Sequence, residues 1–431
     1  MDGVRDLYKR MKTDRIFLHL PAYREPELVP TIKNAIANAK YPERLRFGIC
    51  RQYDPNDGFD DLSEFDGDER FIVHEMLSKD AKGLAYARSV INELLLDDEE
   101  YVLQLDAHHR FIKYWDVEII KMHKDLELKG YRPILTGYLP EYKPFDEPHG
   151  RVWEPWMSIP SCFYPHGTLF IQPTMLTDWQ SLTEPVPSRF ICGHFAFARN
   201  EWAKEILHDK EIFFAGEEID LTVRSFTHGY DLFHPHRVLI WHATMREERD
   251  GMLVWDDQSK VGNPMHWEQQ DKGRAKIRQK FRLEDNGFDL TGHDLGTERT
   301  FQEYQEYSGL DFASKSMQKY TKEWRFPPNP PIGKKEWKES LMKSVYFLVD
   351  IHPDMLPRKD YDFILVAFDD ENGLSIESEF IDDNRLKRFL EEERPIHFEK
   401  IFFADKFPSR VVYWGHSKDG EWRERIEINY N

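Results

Sequence analysis

The first hundred residues alternate short apolar runs with amphipathic segments, and this alternation constrains the fold more than any other feature. The runs Arg15–Leu20, Leu45–Cys50 and Phe71–Glu75 have the length and apolar content of buried strands. The segment that begins at Pro26 and the segment Gly83–Leu96 place apolar residues at helical spacing. Strands that alternate with helices predict a mostly parallel α/β sheet, with ligands at the C-terminal ends of its strands.

The composition limits the classes of partner. The chain has 431 residues, which is enough for about two domains, and its formal net charge of -19 argues against binding to nucleic acid or to an anionic membrane. No apolar run approaches the roughly 20 residues of a membrane span, and Met1–Asp6 contains no apolar leader segment. The three cysteines are odd in number and widely spaced, which indicates reduced thiols and a cytoplasmic location.

A proline-rich segment, Phe326–Gly333, predicts a boundary between two domains, because it cannot continue a helix or a central strand. We expect residues 1–326 to form the α/β domain. Residues 334–431 contain short strand-like runs separated by turn signals, with one polar helix at Asn384–Glu392. This pattern predicts a small β-rich, sandwich-like domain, and we find no catalytic constellation in it.

A possible metal site follows the strand predicted at Tyr101–Leu105. Asp106 and His108 are two residues apart, so in an extended chain their side chains leave on the same side. A second apolar run ends at His242 and could supply a third ligand. One carboxylate and two imidazoles suit Mn²⁺ or a related divalent ion such as Mg²⁺ better than Ca²⁺. The alternative is that His242 only caps a strand or satisfies a hydrogen bond in the core.

Acidic residues also cluster at the start of a helix predicted after Gly216. Glu217, Glu218 and Asp220 lie where the helix dipole favours negative charge, so they could simply stabilise the helix. The functional interpretation is that Glu217 or Glu218 accepts a hydrogen bond from a sugar hydroxyl.

Several motifs, taken in order, resemble those of GT-A glycosyltransferases. Asp106-Ala107-His108 resembles the Asp-x-His form of their metal motif, and the block from Gly216 to His242 resembles the corresponding block of polypeptide N-acetylgalactosaminyltransferases. The family most similar by these motifs is that of the GlcNAc-transferases related to the enzyme that glycosylates hydroxyproline on Skp1. Supporting motifs lie at Leu20–Glu25, Lys82–Arg88 and Phe190–Phe197.

The resemblance implies a Rossmann-like GT-A domain that moves a sugar, GlcNAc from UDP-GlcNAc, to a hydroxyl group of a protein or glycan with retention of configuration. It also implies a role for each matching residue. The ligands of Mn²⁺ or Mg²⁺ at the diphosphate would be Asp106, His108 and His242. The uridine or ribose would be contacted by Pro21, Tyr23, Arg24 and Asp54, and Arg88 would lie near the ribose or diphosphate. The donor sugar would be bordered by Gly193 and His194, and Glu217 or Glu218 would contact the sugar hydroxyls or the acceptor. In an inverting enzyme, Glu217 or Glu218 would be the general base.

The sequence departs from the polypeptide enzymes at two points. It lacks their C-terminal lectin repeats, so we expect residues 334–431 to serve in oligomerisation or acceptor docking. It has His194 where a smaller residue is common, which leaves the donor sugar open. The aromatic insertion Tyr138–Pro187, with Trp153 and Trp156, either shapes the acceptor site or forms a packed aromatic subdomain.

Two other functions stay open on the sequence alone. One is a metal-dependent nucleotidyltransferase or sugar-phosphate hydrolase, although such enzymes favour clustered carboxylates over an acid–histidine mixture. The other is a noncatalytic adaptor, in which the α/β domain binds a sugar nucleotide and the β-rich domain recruits a partner.

Overall fold

The computed structural model of the protein describes residues 14–244, 252–256 and 265–430. The leader prediction at Met1–Asp6 lies outside these ranges. No helix in the described ranges combines the length and apolarity needed to cross a lipid bilayer. The chain divides into two compact units: the first comprises Met1–Ile159, Ile171–Ser308 and Phe326–Asn329, and the second comprises Pro160–Phe170, Gly309–Arg325 and Pro330–Asn431.

The first unit is built on an eight-stranded sheet with the order β3-β2-β1-β4-β10-β6-β11-β9. Two strand pairs lie outside it: β5 with β12, and β7 with β8, of which residues 160–163 and 169–170 belong to the second unit. The strands are β1 (Ile16–Tyr23), β2 (Leu45–Tyr53), β3 (Phe71–Leu77), β4 (Tyr101–Leu105), β5 (His109–Phe111), β6 (Pro133–Thr136), β7 (Trp156–Phe163), β8 (Leu169–Met175), β9 (Val186–Pro187), β10 (Phe195–Arg199), β11 (Asp231–His234) and β12 (Ile240–His242).

The sheet is mostly parallel, as the alternation of strands and helices predicts. The pairs β1–β2, β2–β3 and β1–β4 are all parallel, whereas β10 runs antiparallel to both β4 and β6. In the β4–β10 ladder Leu105 pairs with Phe195. The first residues of β10 therefore lie at the same edge of the sheet as the last residues of β4.

Helices cover both faces of this sheet. Helices α1 (Leu28–Asn38) and α3 (Trp115–Glu127) pack on one face, and α2 (Leu84–Leu94), α4 (Asn200–Glu205) and α5 (Glu217–Thr227) pack on the other. The unit also contains α6 (Met265–Lys280) and α7 (Phe301–Ser308). Leu103 of β4 packs in a core with α1 and α3, whereas its neighbour Val102 packs in a separate core with α2, α4 and α5. Alternate strand residues point to opposite faces, so a strand that is apolar throughout is buried on both sides.

The second unit is a β-sandwich. Its elements are β13 (Leu310–Asp311), β14 (Ser316–Gln318), α8 (Lys319–Lys322), α9 (Lys334–Glu339), β15 (Leu341–Ile351), β16 (Tyr361–Asp369), β17 (Ser375–Ile381), α10 (Asn384–Glu392), β18 (Ile396–Ala404), β19 (Arg410–Ser417) and β20 (Trp422–Asn429). Two antiparallel sheets, β13-β14-β15-β18 and β17-β16-β19-β20, share one apolar core that includes Phe347 and Phe368. The predicted fold class, a Rossmann-like α/β domain followed by a β-rich sandwich-like domain, is confirmed.

Candidate active site

Three potential metal ligands converge beyond the end of β4. Asp106 directly follows the strand, and pairing of β5 with β12 sets His242 opposite His109, beside His108. The Asp106 Oδ2 atom lies 3.6 Å from His242 Nε2 and 3.8 Å from His108 Nε2. One ligand atom from each of Asp106, His108 and His242 lies within 4.8 Å of the other two. This cluster of one carboxylate and two imidazoles fits a divalent ion of the Mn²⁺ type.

Partners behind the two histidines fix how their rings are presented. Glu25, which is 2% exposed, lies with Oε2 3.1 Å from His108 Nδ1, so the carboxylate can accept the Nδ1 proton. The Nε2 lone pair of His108 is then left on the side of Asp106. His242 Nδ1 lies 3.2 Å from the Thr244 hydroxyl. Such outer partners orient metal-ligating imidazoles in many proteins.

Asp106 is held as a carboxylate by its surroundings. Burial alone would raise its pKa, but the His242 contact and the nearby Arg88 guanidinium keep the pKa well below the usual range. Arg88 is fully buried and donates from Nη2 to Asp106 Oδ1 at 2.9 Å. Asp106 is therefore negatively charged at neutral pH and available to a cation.

Gly193 and His194 enter the same site from the start of β10. The Gly193 amide donates to Glu218 Oε1 at 2.7 Å. The His194 ring stacks on His242, with centroids 4.1 Å apart and planes 5° apart, and its Nε2 accepts from the Leu139 amide at 3.1 Å. Burial holds the pKa of His194 well below its ordinary value, so this ring is neutral.

The two neighbouring acids of α5 have different surroundings. Gly216, at a φ of 100°, begins the helix. Glu217 is 4% exposed, and its Oε1 atom lies 3.1 Å both from Arg88 Nε and from His208 Nδ1. Glu218 is half-buried and contacts the Gly193 amide, and burial raises the pKa of its carboxyl group. Glu217 thus supports the site from behind, whereas Glu218 borders Gly193.

A cavity of about 150 Å³ lies against the metal cluster. Pro21 and Tyr23, both predicted to contact the nucleotide, line it together with Asp106 and His108. Its wall also contains residues that were not among the predicted site residues, namely Glu25, Gln52, Gly83, Leu84, Ala107, Phe213, Phe214, Leu253, Val254 and Trp255.

Arg24 and Asp54, predicted to meet the uridine or ribose, are outside the described cavity wall. Arg24 has a φ of 45° and donates to both carboxylate oxygens of Asp57, at 2.7 and 3.2 Å. Asp54 accepts from the backbone and side chain of Asn56 in the turn after β2, at 2.9 and 2.8 Å. Each of these side chains has a local structural partner.

Three buried polar residues that contact the site were not predicted from the sequence. Gln104 and His208 are 1% and 3% exposed, and Glu25 lies behind His108. Gln104 gave a usable signal, because it is the one polar residue of the run Tyr101–Leu105. A polar side chain in a strand that is buried on both faces requires a partner.

Comparison with protein families gives a match over most of the chain. A family model described as Glycosyltransferase (GlcNAc) matches residues 15–64 and 63–314. The match contains every residue of the metal cluster and of the cavity wall.

Solved structures show weaker likeness, and no curated protein matches the chain. The crystal structure of S. aureus TarS 1-349 is 11% identical with a TM-score of 0.37, over 53% of this chain and 60% of that chain. The structure of GalNAc-T7 with UDP, GalNAc and Mn²⁺ is 13% identical with a TM-score of 0.49, over 97% of this chain and 72% of that chain.

Proposed function

The chain belongs to the glycosyltransferase (GlcNAc) family, and from this premise we propose that it transfers GlcNAc from UDP-GlcNAc to a hydroxyl group with retention of configuration. The convergence of Asp106, His108 and His242 beside a cavity at the strand ends carries this proposal. The proposed acceptor is a protein or glycan hydroxyl, as in the hydroxyproline-modifying GlcNAc-transferases. The proposed location is cytoplasmic, in keeping with three free, buried cysteines.

Asp106, His108 and His242 would hold Mn²⁺ or Mg²⁺, and a bound ion of this kind supplies Lewis-acid neutralisation of the charge on a departing diphosphate. Arg88 holds the Asp106 carboxylate through a 2.9 Å hydrogen bond. Glu25 holds the His108 ring. Preorganised ligands of this kind act without rearrangement during the reaction.

In the proposed reaction, the bond between the sugar C1 atom and the β-phosphate oxygen breaks, and the phosphate keeps the electron pair. The acceptor oxygen forms a bond to C1 on the same face, and its proton passes to the departing phosphate. Gly193 and His194 would border the donor sugar. Glu218, rather than Glu217, is proposed to accept a hydrogen bond from a hydroxyl of the donor sugar, because Glu217 already contacts Arg88 and His208.

The insertion before β10 is the proposed acceptor surface. Trp153 is 59% exposed and packs edge-on against Trp241, with centroids 4.8 Å apart. Trp241 is the residue before His242, so this exposed ring adjoins the strand that carries a metal ligand. We expect W153A to raise the acceptor KM without changing the KM for the donor; an unchanged acceptor KM would contradict this role. Residues 334–431 are proposed to dock the acceptor or to join copies of the chain.

The test is UDP release from UDP-GlcNAc, UDP-GalNAc and UDP-glucose with Mn²⁺, with and without a host-cell lysate as the source of acceptor. We expect release from UDP-GlcNAc and its loss in Asp106→Asn. Asp125→Asn is the matched control, because Asp125 is an exposed residue of α3 that pairs with Lys121. Binding of the sugar nucleotide without release under any condition would favour the adaptor function, and absence of binding would refute the proposal.

A further inference from the structure

A chain of buried polar contacts runs from the backbone of Gly193 to Asp106. Gln104 Nε2 donates to the Gly193 carbonyl at 2.9 Å, and Gln104 Oε1 lies 2.7 Å from His208 Nε2. His208 Nδ1 lies 3.1 Å from Glu217 Oε1, which lies 3.1 Å from Arg88 Nε. Arg88 completes the chain at Asp106. We call Gln104, His208, Glu217 and Arg88 the buried relay.

The relay joins four separate parts of the first unit. Gln104 lies on β4, Arg88 on α2 and Glu217 at the start of α5, whereas His208 lies in the segment after α4. Each of the four residues is at most 4% exposed. Water therefore cannot readily replace a lost partner, and each contact restricts the next one.

His208 occupies the centre of the relay because both of its neighbours depend on it. Since the Gln104 amide nitrogen donates to Gly193, the Gln104 oxygen is the atom left for His208. His208 must then donate from Nε2, and it donates to the Glu217 carboxylate as well when Nδ1 also carries a proton. Loss of this ring would leave both the Gln104 oxygen and the Glu217 carboxylate without their common partner.

We propose that His208 is a positioning residue that couples the backbone at Gly193 to the metal ligand Asp106. His208 fixes the side chain of Gln104, which contacts Gly193 beside the proposed donor sugar. It also fixes the side chain of Glu217 and, through it, that of Arg88, which contacts Asp106 beside the proposed diphosphate. The inference rests on the proposed function, because it assigns the donor sugar to the Gly193 side and the cation to Asp106. Outer partners in direct contact with a metal ligand commonly change metal affinity by about 10–100-fold, and His208 acts through Arg88, which is such a partner of Asp106.

The experiment compares His208→Leu and His208→Gln with the wild type by calorimetric titration of Mn²⁺ in the presence of UDP. Leucine cannot hydrogen bond, whereas the glutamine amide can donate to both neighbours. We expect H208L to raise the Kd for Mn²⁺ about tenfold and to lower the kcat of UDP release, and we expect H208Q to restore most of the affinity. His123→Leu is the matched control, because His123 is a fully buried histidine whose Nε2 contacts the Pro133 carbonyl, outside the relay.

A measurement on the wild-type chain covers the case in which H208L does not fold. Titration with Mg²⁺ and UDP should shift the ring-nitrogen NMR signals of His208 and leave those of His123 unchanged. If the wild type binds Mn²⁺, three results would each overturn the inference: the same Kd for Mn²⁺ in H208L as in the wild type, no gain in affinity of H208Q over H208L, or His208 signals that do not shift. Absence of Mn²⁺ and UDP binding in the wild type would instead refute the proposed function.

Discussion

Replacing Glu25 with alanine should weaken cation binding without touching any residue of the metal cluster. The Glu25 carboxylate lies 3.1 Å from His108 Nδ1 and is almost fully buried. Loss of an outer partner of a metal-ligating histidine commonly costs about 10–100-fold in affinity, or about 1.4–2.7 kcal/mol. The 3.1 Å separation exceeds the roughly 2.7–2.9 Å of strong charge-assisted hydrogen bonds. We therefore expect the lower end of the range, about a tenfold rise in the Kd for Mn²⁺.

The assay is calorimetric titration of Mn²⁺ into the protein with saturating UDP. Glu27→Gln is the matched control, because it removes the same negative charge at a position only two residues from Glu25. Its Oε2 atom accepts from Arg110 Nη2 at 2.6 Å and from the Tyr142 hydroxyl at 2.9 Å, so it does not hold His108. Glu25→Gln keeps an oxygen that can accept from His108 and should lose less affinity than E25A.

Equal weakening in E25A and E27Q would refute this reasoning, because the effect would then come from net charge alone. An unchanged Kd in E25A would refute it as well, since the His108 ring would be fixed by other contacts. Circular dichroism spectra and thermal unfolding of each variant separate a loss of the fold from a loss of the site.

Three further outcomes can be measured. Burial lowers the pKa of His123 to about 4. Because this histidine is protonated below about pH 6.5 in the unfolded chain and only below about pH 4 in the folded chain, it should contribute about 3 kcal/mol to the fall in the free energy of unfolding between pH 7 and pH 4. In urea titrations the fall should therefore be smaller in H123L than in the wild type by about that amount. Gly83 has a φ of 100°, and a Cβ there would lie 2.4 Å from the Phe213 carbonyl oxygen, so Gly83→Ala should lower the free energy of unfolding by about 3 kcal/mol in the same assay. Gly58→Ala is the control and should be neutral, because the space around Gly58 is open. Equal stabilities of the two variants would contradict the placement of the turn at Gly83. Treatment with EDTA should abolish UDP release, and added Mn²⁺ should restore it; full activity in EDTA would contradict metal dependence.

The elements that the sequence predicts best are those whose signals are local. The structure has a strand at Tyr101–Leu105 and a helix at Asn384–Glu392, and both have the bounds that the sequence predicts. The strand is apolar except for Gln104 because both of its faces are buried, and the Asp383 side chain caps the helix at the Arg385 amide. Strand β1 runs past its predicted end at Leu20 to Tyr23. Its pairing with β4 stops at His19, so beyond that point it has one partner strand, where a proline is tolerated.

The site was harder to predict because its contacts are distant in sequence. The spacing of Asp106 and His108 is a local signal, and the structure places both at the predicted strand end. The approach of His242 depends on the pairing of β5 with β12, which no local pattern specifies. The division of roles between Glu217 and Glu218 depends on how α5 is rotated toward Arg88, and adjacent acids at a helix start look equivalent in a sequence.

The reversed direction of β10 also bears on how this enzyme can diversify. Register with β4, through Leu105 and Phe195, sets where Gly193 and His194 lie. The first part of the long connection between β6 and β10 also holds the site, because the Leu139 amide donates to His194 and the backbones of Pro140 and Tyr142 are hydrogen bonded to His242. On the proposed function, replacement of the part of this connection that follows Val152 would remodel the acceptor surface, while the contacts at Leu139, Pro140 and Tyr142 would keep His194 and His242 in place.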